Sequence, residues 1–412
     1  MSPHIFMAIV GFFFGAIHCA DSGAEFVQLP YVTDRMPSPS YSGYLNVTDT
    51  KRLHYVYVES QNNATSASDP LIVWFNGGPG CSSLLGFMQE HGPFVIDDNS
   101  TVVKKNDYPW NLNANVLYLE SPAGVGWSVG EKVSDYKHTD MSTSQDAFVA
   151  LEQWYHAFPE RRANELYISG ESYGGIYVPY LAWQIMNHNM LIDLKQANGT
   201  KWNLKGIMVG NGVTDFEVDI SPSFPEIAYN FNLIPKKLFD TYTKEGCKRY
   251  FRDFKPIEGP QNCLDMWYQI NNLTKGLNWY DLYRPLYPDS LSAEERIGKT
   301  IIGGEERTYL RGRTPREFTP FLKHFFPKQD KMPIFGSAVS DYMNLPETRN
   351  VLHIPDSVQT WSECMPEDNT NFTYYMQQEG SIWIYPFLKD AGIRILFYSG
   401  DTDGCVGFAG TR

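Results

Sequence analysis

The chain has 412 residues, 42% of them hydrophobic and 15% aromatic, and carries a formal net charge of −13. That is ample for a packed core, in one large or two average domains. A nucleic-acid partner is disfavoured, because phosphate binding needs a basic face, while an acidic balance suits a soluble secreted or acid-compartment protein.

Ile5 to Ile17 is apolar and about long enough for the core of a signal peptide, expected over residues 1–20 with cleavage near Cys19 and Ala20. It is too short for a bilayer, which needs roughly 20 residues, and no later stretch looks like a membrane span. The expected compartment is the secretory pathway, lysosomal, vacuolar or secreted. Six N-x-S/T sequons, at Asn46, Asn63, Asn99, Asn198, Asn272 and Asn371, are glycosylation candidates there. Without the leader five cysteines remain: Cys81, Cys247, Cys263, Cys364 and Cys405. None has the C-x-x-C spacing of a metal or redox site. Two disulfides and one leftover thiol are expected, with the connectivity left open by spacing, and no metal or cofactor is implied.

Along the chain, Tyr41 to Leu45 and Leu53 to Val58 read as paired strands. A repeated pattern follows, of short apolar runs leading into polar or glycine-rich residues. Leu71-Ile72-Val73-Trp74-Phe75 leads to Asn76-Gly77-Gly78, and Val116-Leu117-Tyr118-Leu119 to Glu120-Ser121-Pro122-Ala123-Gly124. Leu166-Tyr167-Ile168 leads to Gly170-Glu171-Ser172-Tyr173-Gly174-Gly175, Ile207-Met208-Val209 to Gly210-Asn211-Gly212, and Ile393 to Tyr398 to Ser399-Gly400-Asp401. Continuous apolar strands argue for a mostly parallel central sheet, with functional loops at the carboxyl ends of its strands. A helix capped by Thr139 or Asp140 is expected, with Phe148, Leu151, Tyr155 and Phe158 on one face and Pro159 as its stop. From about 213 to 330 the strand rhythm disappears, and the segment reads as a mainly helical insertion covering the site.

Gly170-Glu171-Ser172-Tyr173-Gly174 is G-x-S-x-G at a strand end, the turn that lifts a nucleophilic serine out of an α/β-hydrolase sheet. A serine hydroxyl needs a base to take its proton. The loop Asn76 to Ser83 also follows a strand and can offer backbone amides to a developing oxyanion; no lysine follows as in a phosphate-binding loop. Asp401 lies downstream of Ser172 in the Ser…Asp…His order, where an acid would orient a histidine, and Asp403 is the alternative.

Together these segments, with Leu345-Pro346-Glu347 through His353 to Trp361 and Cys364, and Tyr398 to Asp403, resemble the serine carboxypeptidases, the family that includes cathepsin A and the plant and fungal vacuolar enzymes. The resemblance covers about residues 25–412. It implies an α/β-hydrolase fold and release of C-terminal residues from peptides or proteins with a free C-terminus, at acidic pH; it also allows a homodimer. By resemblance, Ser172 is the nucleophile and Asp401 the triad acid, and the amides of Gly78 and Tyr173 form the oxyanion hole. Trp74, Asn76, Glu90 and Glu171 match the site for the substrate's terminal carboxylate. There a protonated glutamate can donate a hydrogen bond, whereas an ionised one would repel the ligand. The resemblance also implies the disulfides Cys81–Cys364 and Cys247–Cys263, with Cys405 free.

The family's histidine follows the acid by several dozen residues, but only 11 residues follow Asp401 and none is histidine. The nine histidines, His4, His18, His54, His91, His138, His156, His188, His324 and His353, are all upstream. His91, near Glu90, is the weak substitute. The expectation is an incomplete gene model or truncated isoform whose activity is lost. A catalytically inactive secreted binding protein, and an acyltransferase on the same fold, are the competing readings.

Overall fold

A run such as Leu71–Phe75, apolar at every position, is stable as a strand only when both its faces are covered. The computed structural model describes residues 24–412 apart from 27, 33, 97–102, 253–254, 257–258, 275–276, 284–296, 303–304, 311–336, 366–371 and 378. The expected signal peptide and the sequons at Asn99 and Asn371 lie outside the described residues. So do His4, His18 and His324.

Nine strands make the central sheet: β1 (Ala24–Glu25), β2 (Ser40–Asn46), β3 (Lys51–Val58), β4 (Leu71–Phe75), β5 (Asn115–Leu119), β6 (Val129–Gly130), β7 (Leu166–Glu171), β8 (Leu204–Gly210) and β9 (Arg394–Tyr398). Their order is β1-β2-β3-β5-β4-β7-β8-β9, with β6 pairing the start of β3. β1 to β3 and the β3–β5 pair are antiparallel, and every pair from β5 to β9 is parallel. The period of two along a strand sorts side chains between two cores. Val73, Phe75, Leu117 and Leu119 enter one, and Trp74, Val116 and Tyr118 the other.

Helix α1 (Asp140–Ala157) begins at Thr139. Thr139 Oγ1 accepts the Ser142 amide at 3.0 Å, and Ser142 Oγ accepts the Thr139 amide at 2.9 Å. Leu151, Trp154 and Tyr155 are buried from it, while Phe148 is partly buried and stacks on Trp202. Helix α2 (Gly174–Asp193) starts directly behind the serine turn and buries Ile176, Val178 and Leu181 against the same core.

Beyond residue 213, helices α3 (Phe224–Asn230), α4 (Lys236–Lys244) and α5 (Gln261–Leu273) build a separate apolar cluster. The Cys247–Cys263 disulfide lies inside it. A hairpin of Ile297–Ile302 with Glu305–Leu310 also forms here. The sequence reads the insertion as mainly helical, and these two strands carry charges, so no continuous apolar run announces them. The second disulfide joins Cys81 to Cys364, and Cys405 is free and buried.

The last strand is less covered than its sequence suggests. β9 pairs only with β8 among the described residues, and Leu396, Phe397 and Tyr398 are 51%, 41% and 37% exposed. No helix of the described residues is long and apolar enough to cross a membrane.

Candidate active site

The site forms where β4, β7, β8 and β9 end side by side. Ser172 follows β7 with φ 55°, in the left-handed region that a non-glycine residue enters only when its surroundings impose it. They do: the Ser172 amide donates to Gly210 O at 3.1 Å, and Ser172 O accepts the amides of Gly175 and Val213 at 3.0 and 2.9 Å. The turn is thereby locked between β8 and α2.

The loop after β4 reaches the same point. A Cβ on Gly77 would meet the amide nitrogen of Tyr173 and the Cβ of Ser172, so only glycine permits this approach. Gly78 has φ +113°, and its amide makes no hydrogen bond to a described residue. The loop is braced by Cys81 N–H donating to Gly77 O at 3.1 Å, Gly80 N–H to Tyr177 Oη at 3.2 Å, and Met365 N–H to Gly80 O at 2.9 Å.

Asn76 organises the next group. Its Oδ1 accepts from Trp74 Nε1 at 2.8 Å and the Gly86 amide at 2.9 Å. Its Nδ2 therefore faces two acceptors, Glu90 Oε1 and Glu171 Oε1, each at 2.8 Å. Trp74 is 1% exposed, so it orients Asn76 from behind. Burial raises the pKa of both glutamates, and for Glu90 the neighbouring charge of Glu171 adds to the rise while the Asn76 bond opposes it. Glu90 keeps 29% of its side-chain exposure, so water tempers the size of its shift and leaves the direction intact.

The acids of the last turn divide. Asp401 is exposed and makes no hydrogen bond or ion pair to a described residue. Asp403 turns inward. Its Oδ1 accepts the Cys405 amide at 2.7 Å, and its Oδ2 accepts Asn211 Nδ2 at 3.0 Å and the Val406 amide at 3.2 Å. Burial raises its pKa to about 7 against these donors, with Glu171 adding to the rise. The geometry thus favours Asp403, the sequence alternative, over Asp401 for an orienting acid. Asn211, which the sequence marks only as part of a Gly-Asn-Gly motif, is what selects between them. It also donates to Val406 O at 3.1 Å and accepts the Gly400 amide at 2.9 Å, fixing the turn.

Among the described residues no histidine hydrogen-bonds Ser172, Asp401 or Asp403. His91 is stacked on Trp110 at 4.1 Å, set edge-on to Trp74, and bonded through Nδ1 to Tyr118 Oη at 3.1 Å. Burial lowers its pKa to about 3, so it is a neutral wall behind Asn76 and Glu90. Of the sequons, Asn63, Asn198 and Asn272 are exposed and Asn46 is partly buried at the end of β2.

A mostly parallel sheet with a strained serine between strand and helix is an α/β-hydrolase fold. Within that class the chain belongs to the serine carboxypeptidase family, whose model matches residues 30–412. It is similar to serine carboxypeptidase-like 20 of Arabidopsis thaliana, 33% identical over all of this chain and 85% of that protein. It is equally similar to the lysosomal protective protein of Mus musculus, 33% identical over 93% of this chain and 78% of that one. The solved structure of Kex1(delta)p, a prohormone-processing carboxypeptidase from Saccharomyces cerevisiae, shares the fold. Its TM-score is 0.69 at 22% identity, over 96% of this chain and 81% of that chain.

Proposed function

We propose that the chain is a serine carboxypeptidase of the secretory pathway, acting on peptides with a free C-terminus in an acidic compartment. The observation that carries this reading is the Asn76 carboxamide held between Glu90 and Glu171, one residue from Ser172. Two carboxyls that share a donor and resist ionisation present neutral O–H groups at low pH, which suits a terminal carboxylate and repels it once they ionise. In this reading Ser172 Oγ attacks the last peptide carbonyl, its proton passes through a base to the nitrogen of the departing terminal amino acid, and the amides of Gly78 and Tyr173 receive the oxyanion; no described histidine is that base. Water then hydrolyses the acyl-serine. Asp403 is the acid placed to orient a base, and a cationic base beside it would favour its ionised form.

One observation favours a second reading, a binding protein of the same fold: no described histidine stands at Ser172. The two readings share the carboxylate site and differ in chemistry. The test of that shared site is calorimetric binding of a blocked dipeptide and its C-terminal amide at pH about 5. The free acid binds more tightly, and Asn76→Ala removes the preference; equal affinity for acid and amide overturns the proposal. Fluorophosphonate labelling of Ser172, abolished by Ser172→Ala, then separates hydrolase from binding protein.

A further inference from the structure

A carboxylate that this chemistry leaves unused lies fully buried just after β5. Glu120 Oε1 accepts from Trp361 Nε1 at 2.8 Å and from Ser82 Oγ. Its Oε2 accepts the Trp127 amide at 3.0 Å and faces His54 Nδ1 at 2.8 Å. Gly126, with φ +53°, makes the space, since a Cβ there would strike the carboxylate.

His54 Nε2 faces Ser42 Oγ at 2.9 Å, so Ser42, His54 and Glu120 make the contacts of a catalytic relay. They are no second active centre. All three are 0% exposed, and Ser42 Oγ donates its single hydrogen to Leu352 O at 2.8 Å. His54 Nε2 must then be the donor to Ser42. Nδ1 faces a carboxylate oxygen, so both ring nitrogens are engaged, one with Ser42 and one with Glu120. Partnered in this way, the buried carboxylate avoids the several kcal/mol that an isolated buried charge costs.

We propose that Glu120 is a positioning residue for the Asn76–Ser83 loop, with His54 and Ser42 keeping its charge compensated. The inference rests on the carboxypeptidase reading, which gives that loop its role. Ser82 is the link. It hangs from Glu120 by its hydroxyl and from Glu363 O by its amide at 2.7 Å. Its neighbour Cys81 holds Gly77 O, and Gly77 abuts Ser172. On the other side, Ser83 Oγ donates to Leu119 O at 2.6 Å and accepts the Asn76 amide at 3.4 Å. The end of β5 therefore sets the height of both the Gly78 amide and the carboxylate-binding carboxamide of Asn76.

The test compares Ser82→Ala with Tyr57→Phe. The latter removes a buried hydroxyl, bonded to Asn115 Oδ1 at 3.1 Å, at the opposite end of β5. Two quantities are read: native-state amide exchange over residues 77–86, and affinity for a blocked dipeptide with a free C-terminus at pH about 5. Ser82→Ala is expected to speed loop exchange and weaken the peptide by roughly tenfold, the scale of one hydrogen bond to a charged group. Tyr57→Phe is expected to lower stability and change neither. Unchanged loop exchange and affinity in Ser82→Ala, or equal changes in both variants, overturns the proposal. Glu120→Gln, which turns one acceptor into a donor facing donors, moves both readouts further where it folds; where it does not fold, Ser82→Ala decides. A wild-type protein with no preference for acid over amide sinks the carboxypeptidase reading, and loop exchange still decides on Glu120.

Discussion

A Cβ added to Gly77 would lie 2.6 Å from the Cβ of Ser172, closer than real side chains approach. The candidate nucleophile and the candidate oxyanion loop are thus in contact through a residue that cannot grow. The obstacle includes backbone, since Glu171 O stands 2.8 Å from the same point, and no rotamer relieves it. Gly77→Ala is expected to cost about 1–3 kcal/mol in guanidinium denaturation and to slow labelling of Ser172. A variant as stable as the parent would mean that the loop stands farther from the serine than described.

The two acids of the last turn separate by mutation. Asp403→Asn places an amide NH2 against donors and is expected to cost about 1–3 kcal/mol. Asp401→Asn, at an exposed side chain, is expected to stay within about 0.5 kcal/mol. Peptide turnover should follow the same order. The reverse ranking returns the orienting role to Asp401.

Stability should depend on pH in a direction that the buried groups set. Asp403 is raised to about 7 from an ordinary 3.8, so between those values the folded state keeps a proton that the unfolded state has lost. Stability therefore falls as pH rises through that window. Glu90 and Glu171 act in the same sense. His91 and His138, lowered to about 3 and about 4 from 6.5, act oppositely and remove stability as pH drops below 6.5. At pH 6.5 the unfolded histidines are still half protonated, so from pH about 6.5 to about 7.5 their titration opposes that of the carboxyls. Asp403→Asn removes one carboxyl's part, so the unfolding free energy of the parent should fall relative to that of Asp403→Asn over this range. A parent-minus-variant difference that rises or stays constant contradicts the assignment.

No described histidine accepts the Ser172 proton, so peptide turnover by the 412-residue chain should be several orders of magnitude below that of a complete triad. Added imidazole, a base that diffuses to the serine, is expected to raise the rate in proportion to its concentration and to do nothing for Ser172→Ala. Fast turnover indifferent to imidazole would reveal a base already in place.

Much of this molecule is legible before folding. Leu71–Phe75 and Val116 to Leu119 announce strands because a run apolar on both faces has few other homes, and the elbow at Ser172 follows from glycines where a crowded turn needs them. The disulfides and the Asn76, Glu90 and Glu171 group came from resemblance, since residues 14 and 95 positions apart carry no local sign of meeting. The choice between Asp401 and Asp403 was open because Asn211, on another strand, makes it. In the sequence Glu120 is only the first polar residue after an apolar run, because its four donors come from four separate segments. The exposed β9 was hidden for the opposite reason: Ile393 to Tyr398 is as apolar as its buried counterparts, and composition does not say whether a partner lies alongside.

Strand β9, paired on one side only among the described residues, carries Asp403 five residues beyond its last ladder position, Gly210 with Tyr398. Elements with few buried contacts open at a lower free energy than the whole fold. β9 should then part from β8 while the core around Trp154 and Ile168 stays closed, taking Asp403 with it. Warming or mild denaturant should then abolish function in a population that still scans as native by its buried tryptophans, so that working life is set by one edge and not by the global melting point.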